Sequence, residues 1–250
     1  MENTTIHNFD YSLAGLNAAL AENARRKSAK AVAYDPLTGL GCCGERRTVA
    51  IDFGGGDVRQ LHLPVAMLRA HSALGAALEP GFAGVVANPF GTAEAFSRAR
   101  IAHDFEYWCR VCATVTLKGL GREGPLALNA PQRRLAAELE RQRLARQPIR
   151  VVLLKARQWG GSTLVQMYMA WMQLVVRTHW NSVICGHLRG TSAAIKGMYT
   201  RLLRRYPHAL LPGGVRPAFK RFEGCGSAHV VAGRDCLVVT GSAVSQEAIR

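Results

Sequence analysis

The stretch covering residues 150–178 holds the residues whose types and spacing best suit a chemical task. An apolar run of β-type residues, 151–154, leads into a short loop with two glycines, and the loop opens into an apolar helical segment. A strand, a glycine-bearing loop and a helix together form a phosphate-binding turn. The first N–H groups of the helix have no intrahelical partners and point at the ligand. The pattern therefore predicts a site for a phosphorylated ligand.

The loop, residues 155–163, reads Lys-Ala-Arg-Gln-Trp-Gly-Gly-Ser-Thr. Gly160 and Gly161 allow the backbone to approach phosphates, Lys155 and Arg157 add positive charge, and Ser162 stands where a P-loop has its magnesium ligand. The loop departs from G-x-x-x-x-G-K-[ST], because Lys155 replaces the first glycine and Gly161 replaces the lysine. A lysine ammonium acts as a flexible point charge, so Lys155 can reach the β- and γ-phosphates from the front of the loop. The alternative is a tight turn with a solvated lysine.

A glutamine upstream of the loop is a second candidate. Residues 128–135 read Leu-Asn-Ala-Pro-Gln-Arg-Arg-Leu and lead into a charged helix predicted over 133–146, with Asn129 as its N-cap. The amide of Gln132 can both donate and accept a hydrogen bond, which is what reading an adenine requires. The alternative is that Gln132 is an ordinary exposed residue of the first helical turn.

These two segments together resemble the large subunit of bacteriophage terminases, the ATPases that drive DNA into viral capsids. KARQWGGST resembles their variant Walker A loop, [KS]-x-R-Q-x-G-x-[ST], and LNAPQRRL is similar to the glutamine motif ahead of it. The resemblance covers about residues 101–250 and implies ATP and Mg²⁺ as cofactors. It implies Lys155 as the phosphate-binding lysine, Arg157 as the catalytic loop arginine and Ser162 as the metal ligand. The implied nucleotide-binding residues are Gln132, Lys155, Ala156, Arg157, Gln158, Trp159, Gly160, Gly161, Ser162 and Thr163.

The resemblance also implies partners and a location. Double-stranded DNA would be the polymer that the motor moves, and a viral portal and a small terminase subunit would be protein partners. The chain would assemble as a homo-oligomer in the bacterial cytoplasm. The family also carries an endonuclease domain. A net charge of +15, with no Asp or Glu in residues 141–222, independently favours a polyanionic partner. The alternative is a basic, solvated surface.

The chain changes character near residue 100. Residues 1–100 form an N-terminal α+β region without a catalytic constellation. Helices are predicted over 11–30 and 63–78, a β-hairpin around Gly-Gly-Gly-Asp at 54–57, and a loop over 80–89.

Residues 101–250 alternate between strand and helix patterns. Buried strands are predicted at 151–154 and 182–186, helices at 164–176 and 190–206, and paired strands at 227–232 and 236–240. This order predicts an α/β fold, a P-loop NTPase-like and mostly parallel sheet with flanking helices. Only part of such an ATPase domain is expected here.

Cysteine spacing and hydropathy argue against a disulfide-stabilised protein and against a membrane-spanning protein. The seven cysteines are irregularly spaced, so we expect reduced thiols; Cys109 and Cys112 suit a core better than half of a zinc site. No apolar run reaches the length of a membrane span, so no membrane partner is expected.

The acids that a nucleotide hydrolase needs are not evident. Such an enzyme uses carboxylates to hold magnesium and orient the attacking water. Asp235 precedes its predicted strand, and Glu247 follows a polar segment. We therefore expect nucleotide binding without the catalytic carboxylates, as in an N-terminal piece of a terminase. A helicase-type translocase and a non-catalytic basic nucleic-acid-binding protein with a vestigial loop remain alternatives.

Overall fold

A computed structural model describes residues 12–28, 33–116, 121–154, 159–186, 189–221 and 227–242. The chain divides into two compact units, residues 1–34 and 35–250. In the first unit, helix α1 spans Leu13–Ser28 and confirms the helix predicted over 11–30. Leu13 and Leu20 of this helix are exposed.

The second unit begins with a three-stranded sheet. Strand β1 (Arg46–Asp52) pairs antiparallel with β2 (Val58–Pro64), which confirms the predicted hairpin. Its turn needs glycine, because Gly54, Gly55 and Gly56 all have positive φ. Strand β3 (Val85–Ala87) pairs in parallel with β1, so the prediction of a loop over 80–89 was wrong for these residues. Three residues are too few for a hydrophobic period to reveal a strand.

Short helices cover this sheet. Helix α2 (Val65–Ala70) and a 3₁₀ segment (Ser72–Leu78) confirm the helical prediction for residues 63–78, with a break at His71, whose backbone is extended. Helix α3 (Ala93–Ile101) begins where the Thr92 hydroxyl accepts the Ala95 N–H. One cluster of buried side chains lies within residues 49–96, and a second lies within residues 101–238.

Four helices and strands precede the glycine loop, and one helix begins directly after it. They are α4 (Phe105–Cys112), β4 (Thr114–Thr116), β5 (Glu123–Pro125), α5 (Ala130–Leu144) and α6 (Gly161–Trp171). A π-helical turn (Met172–Val176) extends α6. The elements after it are β6 (Asn181–Gly186), α7 (Arg189–Arg205), β7 (Ala218–Arg221), β8 (Ser227–Val231) and β9 (Cys236–Ser242). The helices predicted over 133–146, 164–176 and 190–206 and the strands predicted at 182–186, 227–232 and 236–240 are confirmed.

The larger sheet is mixed. Its strand order is β6-β9-β8-β7; β6 and β9 are parallel, whereas the β9–β8 and β8–β7 pairs are antiparallel. The architecture is therefore mixed α/β, as predicted. The described residues do not show a mostly parallel sheet.

Residues 151–154 do not form the predicted strand. They have no regular secondary structure, and Val152 and Leu154 are fully exposed, at 101% and 100%. Apolar strands of parallel sheets are covered on both faces by neighbouring elements. None of the described strands pairs with this segment. Its backbone therefore has no strand partner among the described residues, although its residue types favour a strand.

The main core fixes α6 and α7. Trp108, Trp171, Tyr199 and Tyr206 are almost completely buried, and the Trp108 indole N–H donates to the Tyr206 hydroxyl at 3.2 Å. Gln173, in the π-helical turn, is also fully buried: its Nε2 donates to the carbonyls of Trp180 and Leu237, both at 3.0 Å, and its Oε1 accepts the Tyr199 hydroxyl. A satisfied buried amide thus joins the end of α6 to β9 and α7.

A buried ion pair network joins the small sheet to α4. The Asp104 carboxylate accepts from Arg46 Nη1 and Nη2 at 2.9 and 2.8 Å and from Arg100 Nε at 2.9 Å. Burial alone would raise the pKa of Asp104, but the charges of Arg46 and Arg100 outweigh it and hold the pKa at about 2. Asp104 also caps α4 by accepting the Tyr107 N–H.

The cysteines within the described residues are free thiols, as expected. Cys109 and Cys112 are buried in α4, where burial raises the pKa of both. Across the described residues, no helix has the length and apolar character that crossing a membrane requires.

Candidate phosphate-binding loop

The structure describes the second half of the predicted loop. Lys155, Ala156, Arg157 and Gln158 lie outside the described residues. Gly160 precedes α6 as its N-cap, with φ +86° and ψ 20°. This left-handed conformation favours glycine, because a Cβ would clash with the neighbouring backbone. The glycine therefore sets the direction in which the chain enters the helix.

The two predicted motifs meet at this glycine. Gln132 Nε2 donates to the Gly160 carbonyl at 2.9 Å, and Asn129 Nδ2 donates to the Trp159 carbonyl at 2.9 Å. These contacts join segments about thirty residues apart in the chain. The start of α5 therefore holds the end of the loop and the start of α6 in place.

A capping box explains why Gln132 and Asn129 point this way. The Asn129 side chain accepts the Gln132 N–H at 3.0 Å, and the Gln132 Oε1 accepts the Asn129 N–H at 2.9 Å. Each side chain thus satisfies a backbone donor of the first turn while its amide nitrogen reaches the loop. The predicted N-cap role of Asn129 is confirmed.

Gln132 is not the exposed first-turn residue that was the alternative to adenine contact, because it is 4% exposed. In this conformation its oxygen accepts from Asn129 and its nitrogen donates to Gly160. The amide retains a second N–H and a second oxygen lone pair. Its contacts here are with the protein, and they position the loop backbone.

Glycine at 160 is also required by space. A Cβ built at this position would lie 2.6 Å from Gln132 Nε2. Any larger residue would have to displace the amide that holds the loop. The close approach between Gly160 and Gln132 was not predicted from the sequence, although the Asn-x-x-Gln spacing of a capping box was a usable signal.

The remaining predicted residues lie in the first turn of α6. Gly161 is buried, Thr163 is partly buried and Ser162 is exposed. Within the described residues the Ser162 hydroxyl has no hydrogen-bonding partner, so it is free to contact a ligand or a metal. Leu164, Met167 and Trp171, further along α6, are completely buried. The helix is thus fixed in the core, while Ser162 in its first turn is exposed.

Known proteins do not place the chain in a family. It matches no family model and no curated protein.

Asp235 and Glu247 are the two carboxylates considered above for catalysis. Asp235 is exposed and pairs with His179, with 2.8 Å between Oδ2 and Nδ1. Glu247 lies outside the described residues. Within the described residues, no group of three or more His, Cys, Asp or Glu side chains could hold a metal ion. Ser162, which the sequence predicts as a metal ligand, lies within the described residues.

A separate cavity of about 400 Å³ lies elsewhere in the second unit. Residues from the β1–β2 region, α4 and α5 line it, among them Arg46, Phe105 and Ala137, and none of the predicted loop residues does so. Small side chains, including Ala66 and Ala136, leave this space open. No sequence pattern indicated it, because the lining residues come from distant parts of the chain.

Proposed function

We propose that this chain is the ATP-binding part of a viral DNA-packaging motor, a terminase large subunit that couples ATP hydrolysis to the movement of double-stranded DNA. The observation that carries the proposal is the hydrogen bond from Gln132 Nε2 to the Gly160 carbonyl. It brings the glutamine segment and the glycine loop, which resemble two terminase motifs, to one place. We infer that the fold around them is P-loop NTPase-like, and the parallel β6–β9 pair and the exposed Ser162 at the start of α6 support this inference.

The residues at the loop suit a nucleoside triphosphate. The first-turn N–H groups of α6 and the positive end of its helix dipole favour an anion. Lys155 and Arg157 would bind the phosphates and stabilise charge on them, and the exposed Ser162 hydroxyl would ligate Mg²⁺. When bound, Mg²⁺ neutralises phosphate charge and polarises the phosphoryl group. Gln132 and Asn129 act through the loop backbone and are positioning residues.

The partners follow from the same proposal. Double-stranded DNA would be the polyanion that the basic chain binds, and a portal, a small terminase subunit and further copies of the chain would complete the motor in the bacterial cytoplasm. A helicase-type translocase would use the same nucleotide site on another track. One observation favours the third candidate, a non-catalytic basic nucleic-acid-binding protein: the segment before the loop, residues 151–154, forms no strand.

Calorimetric titration of ATP and inorganic triphosphate, each with Mg²⁺, tests the proposal. Gln132→Ala and Asn129→Ala each remove one contact to the loop backbone, worth about 0.5–1.5 kcal/mol. If both residues position the loop, each variant weakens both ligands equally, by about two- to tenfold. A larger loss of ATP than of triphosphate in Gln132→Ala alone would show that Gln132 also reads adenine. No binding of either ligand by the parent chain would support the vestigial loop.

A further inference from the structure

The last turns of α7 carry a group of exposed arginines. Arg201, Arg204 and Arg205 are exposed, whereas Tyr199, Leu202 and Leu203 of the same helix are buried in the core. The helix therefore has one apolar face that anchors it and one basic face toward solvent. No acidic residue occurs in α7.

Arg216 extends this basic face. Its Nη1 donates to the carbonyls of Leu203 and Arg204, both at 3.0 Å, and the residue is exposed. The guanidinium thus caps the end of α7 and lies beside Arg204. We call Arg201, Arg204, Arg205 and Arg216 the α7 arginine surface.

The charges of this surface are poorly compensated within the protein. Some exposed arginines elsewhere have carboxylate partners, as Arg69 has Glu45, Arg98 has Glu94 and Arg141 has Glu138, whereas others, such as Arg122 and Arg177, have no ion pair within the described residues. Among the described residues neither Arg201 nor Arg204 has an ion pair, and Arg205 pairs with Glu123 through Nε alone. Unpaired guanidiniums held on a rigid helix are suited to phosphate, which they bind through two parallel hydrogen bonds.

The helix dipole favours cations near the C-terminus of α7, but only weakly for each one. Arg216 already donates to two terminal carbonyls of α7. Arg201 and Arg204 are therefore available to an external anion, while Arg205 keeps its ion pair with Glu123. Their spacing of three and four residues places Arg201, Arg204 and Arg205 side by side on successive turns.

The surface fits a duplex better than a single strand. Proteins that bind single-stranded nucleic acid stack bases on exposed aromatic rings. The two tyrosines nearest these arginines in the sequence, Tyr199 and Tyr206, are buried at 0% and 1% exposure. We propose that the α7 arginine surface binds the phosphate backbone of double-stranded DNA. The choice of DNA over an RNA duplex rests on the proposed function.

The test is a salt titration of duplex binding by fluorescence anisotropy, using the full chain and a fluorescein-labelled DNA duplex. Each lost phosphate contact lowers the slope of log affinity against log salt by about 0.9. Arg201→Gln/Arg204→Gln should lower the slope by about 2. The control, Arg69→Gln/Arg98→Gln, has the same change in net charge at exposed positions outside α7 and should lower the slope far less.

Three results would overturn the assignment. One is an equal fall in slope for both double variants, which would mean that net charge alone governs binding. Another is an unchanged slope in Arg201→Gln/Arg204→Gln. The third is tighter binding of single-stranded DNA or of an RNA duplex through the same arginines. ATP titration of the same proteins keeps the two proposals separate. If the parent chain binds no ATP, the proposed motor function is refuted, while the salt titration still tests whether the α7 arginine surface binds a duplex.

Discussion

Replacing Gly160 by alanine should destabilise the chain through two effects visible at the start of α6. The residue has φ +86°, and an L-residue held in the left-handed region costs about 1–2 kcal/mol. The new Cβ would also lie 2.6 Å from Gln132 Nε2, so the amide must move and lose its bond to the loop, about 0.5–1.5 kcal/mol more. We expect Gly160→Ala to lower the free energy of unfolding by about 1.5–3.5 kcal/mol.

Urea denaturation followed by tryptophan fluorescence measures this change, and Gly197→Ala is the matched control. Gly197 lies inside α7, where a Cβ would meet only the Arg201 guanidinium at 3.6 Å, an ordinary contact. Because alanine favours a helix over glycine, Gly197→Ala should stabilise the chain by about 0.5–1 kcal/mol.

A double variant separates the two effects at Gly160. In a Gln132→Ala background the close contact is absent, so Gly160→Ala should cost only the left-handed term, about 1–2 kcal/mol. An undiminished cost in that background would show that the two residues are not coupled. A Gly160→Ala protein as stable as its parent would refute the whole local account.

Two further predictions concern pH and turnover. Burial lowers the pKa of His229 to about 4, and the charge of Lys196 acts in the same direction. Because a histidine in the unfolded chain titrates near 6.5, the unfolded chain takes up this proton at a higher pH than the folded chain does. The free energy of unfolding should therefore fall by up to about 3 kcal/mol as the pH drops from 6.5 to 4. Denaturation at both pH values should show a smaller fall in His229→Gln, and an identical fall would exclude His229 as the cause. For turnover, the chain should bind ATP with negligible hydrolysis, because residues 141–222 contain no Asp or Glu. Phosphate release that depends on Lys155 would contradict this and would reveal an overlooked catalytic acid. Asp235 and Glu247 would then be the first residues to substitute.

Periodicity predicted most helices and hairpins because their signals are local. The glycines at 54–56 fix the turn between β1 and β2, and the spacing of Tyr199, Leu202 and Tyr206 matches the buried face of α7. Residues 151–154 show the limit of such signals. Their composition favours a strand, but a strand also needs a partner, and pairing between distant segments is not encoded in a local pattern.

The candidate site was predictable in its residue types and less so in its geometry. The capping box of Asn129 and Gln132 follows from their spacing, and the N-cap was predicted. The contacts from these side chains to the carbonyls of Trp159 and Gly160 depend on how α5 packs beside α6, which the sequence alone does not give. The burial of Gln132 and its contact with the loop backbone are therefore findings of the structure.

The most direct test of the nucleotide proposal is ATP titration of the chain with Mg²⁺, comparing the parent with Lys155→Ala. Losing a charge-assisted contact of about 1.5–3 kcal/mol should lower ATP affinity by about tenfold or more. Lys27→Ala, which makes the same charge change in helix α1 of the first unit, should leave the affinity unchanged. We predict weak, Mg²⁺-dependent binding that depends on Lys155. Equal affinity in Lys155→Ala and the parent, or no binding by the parent, would contradict this prediction.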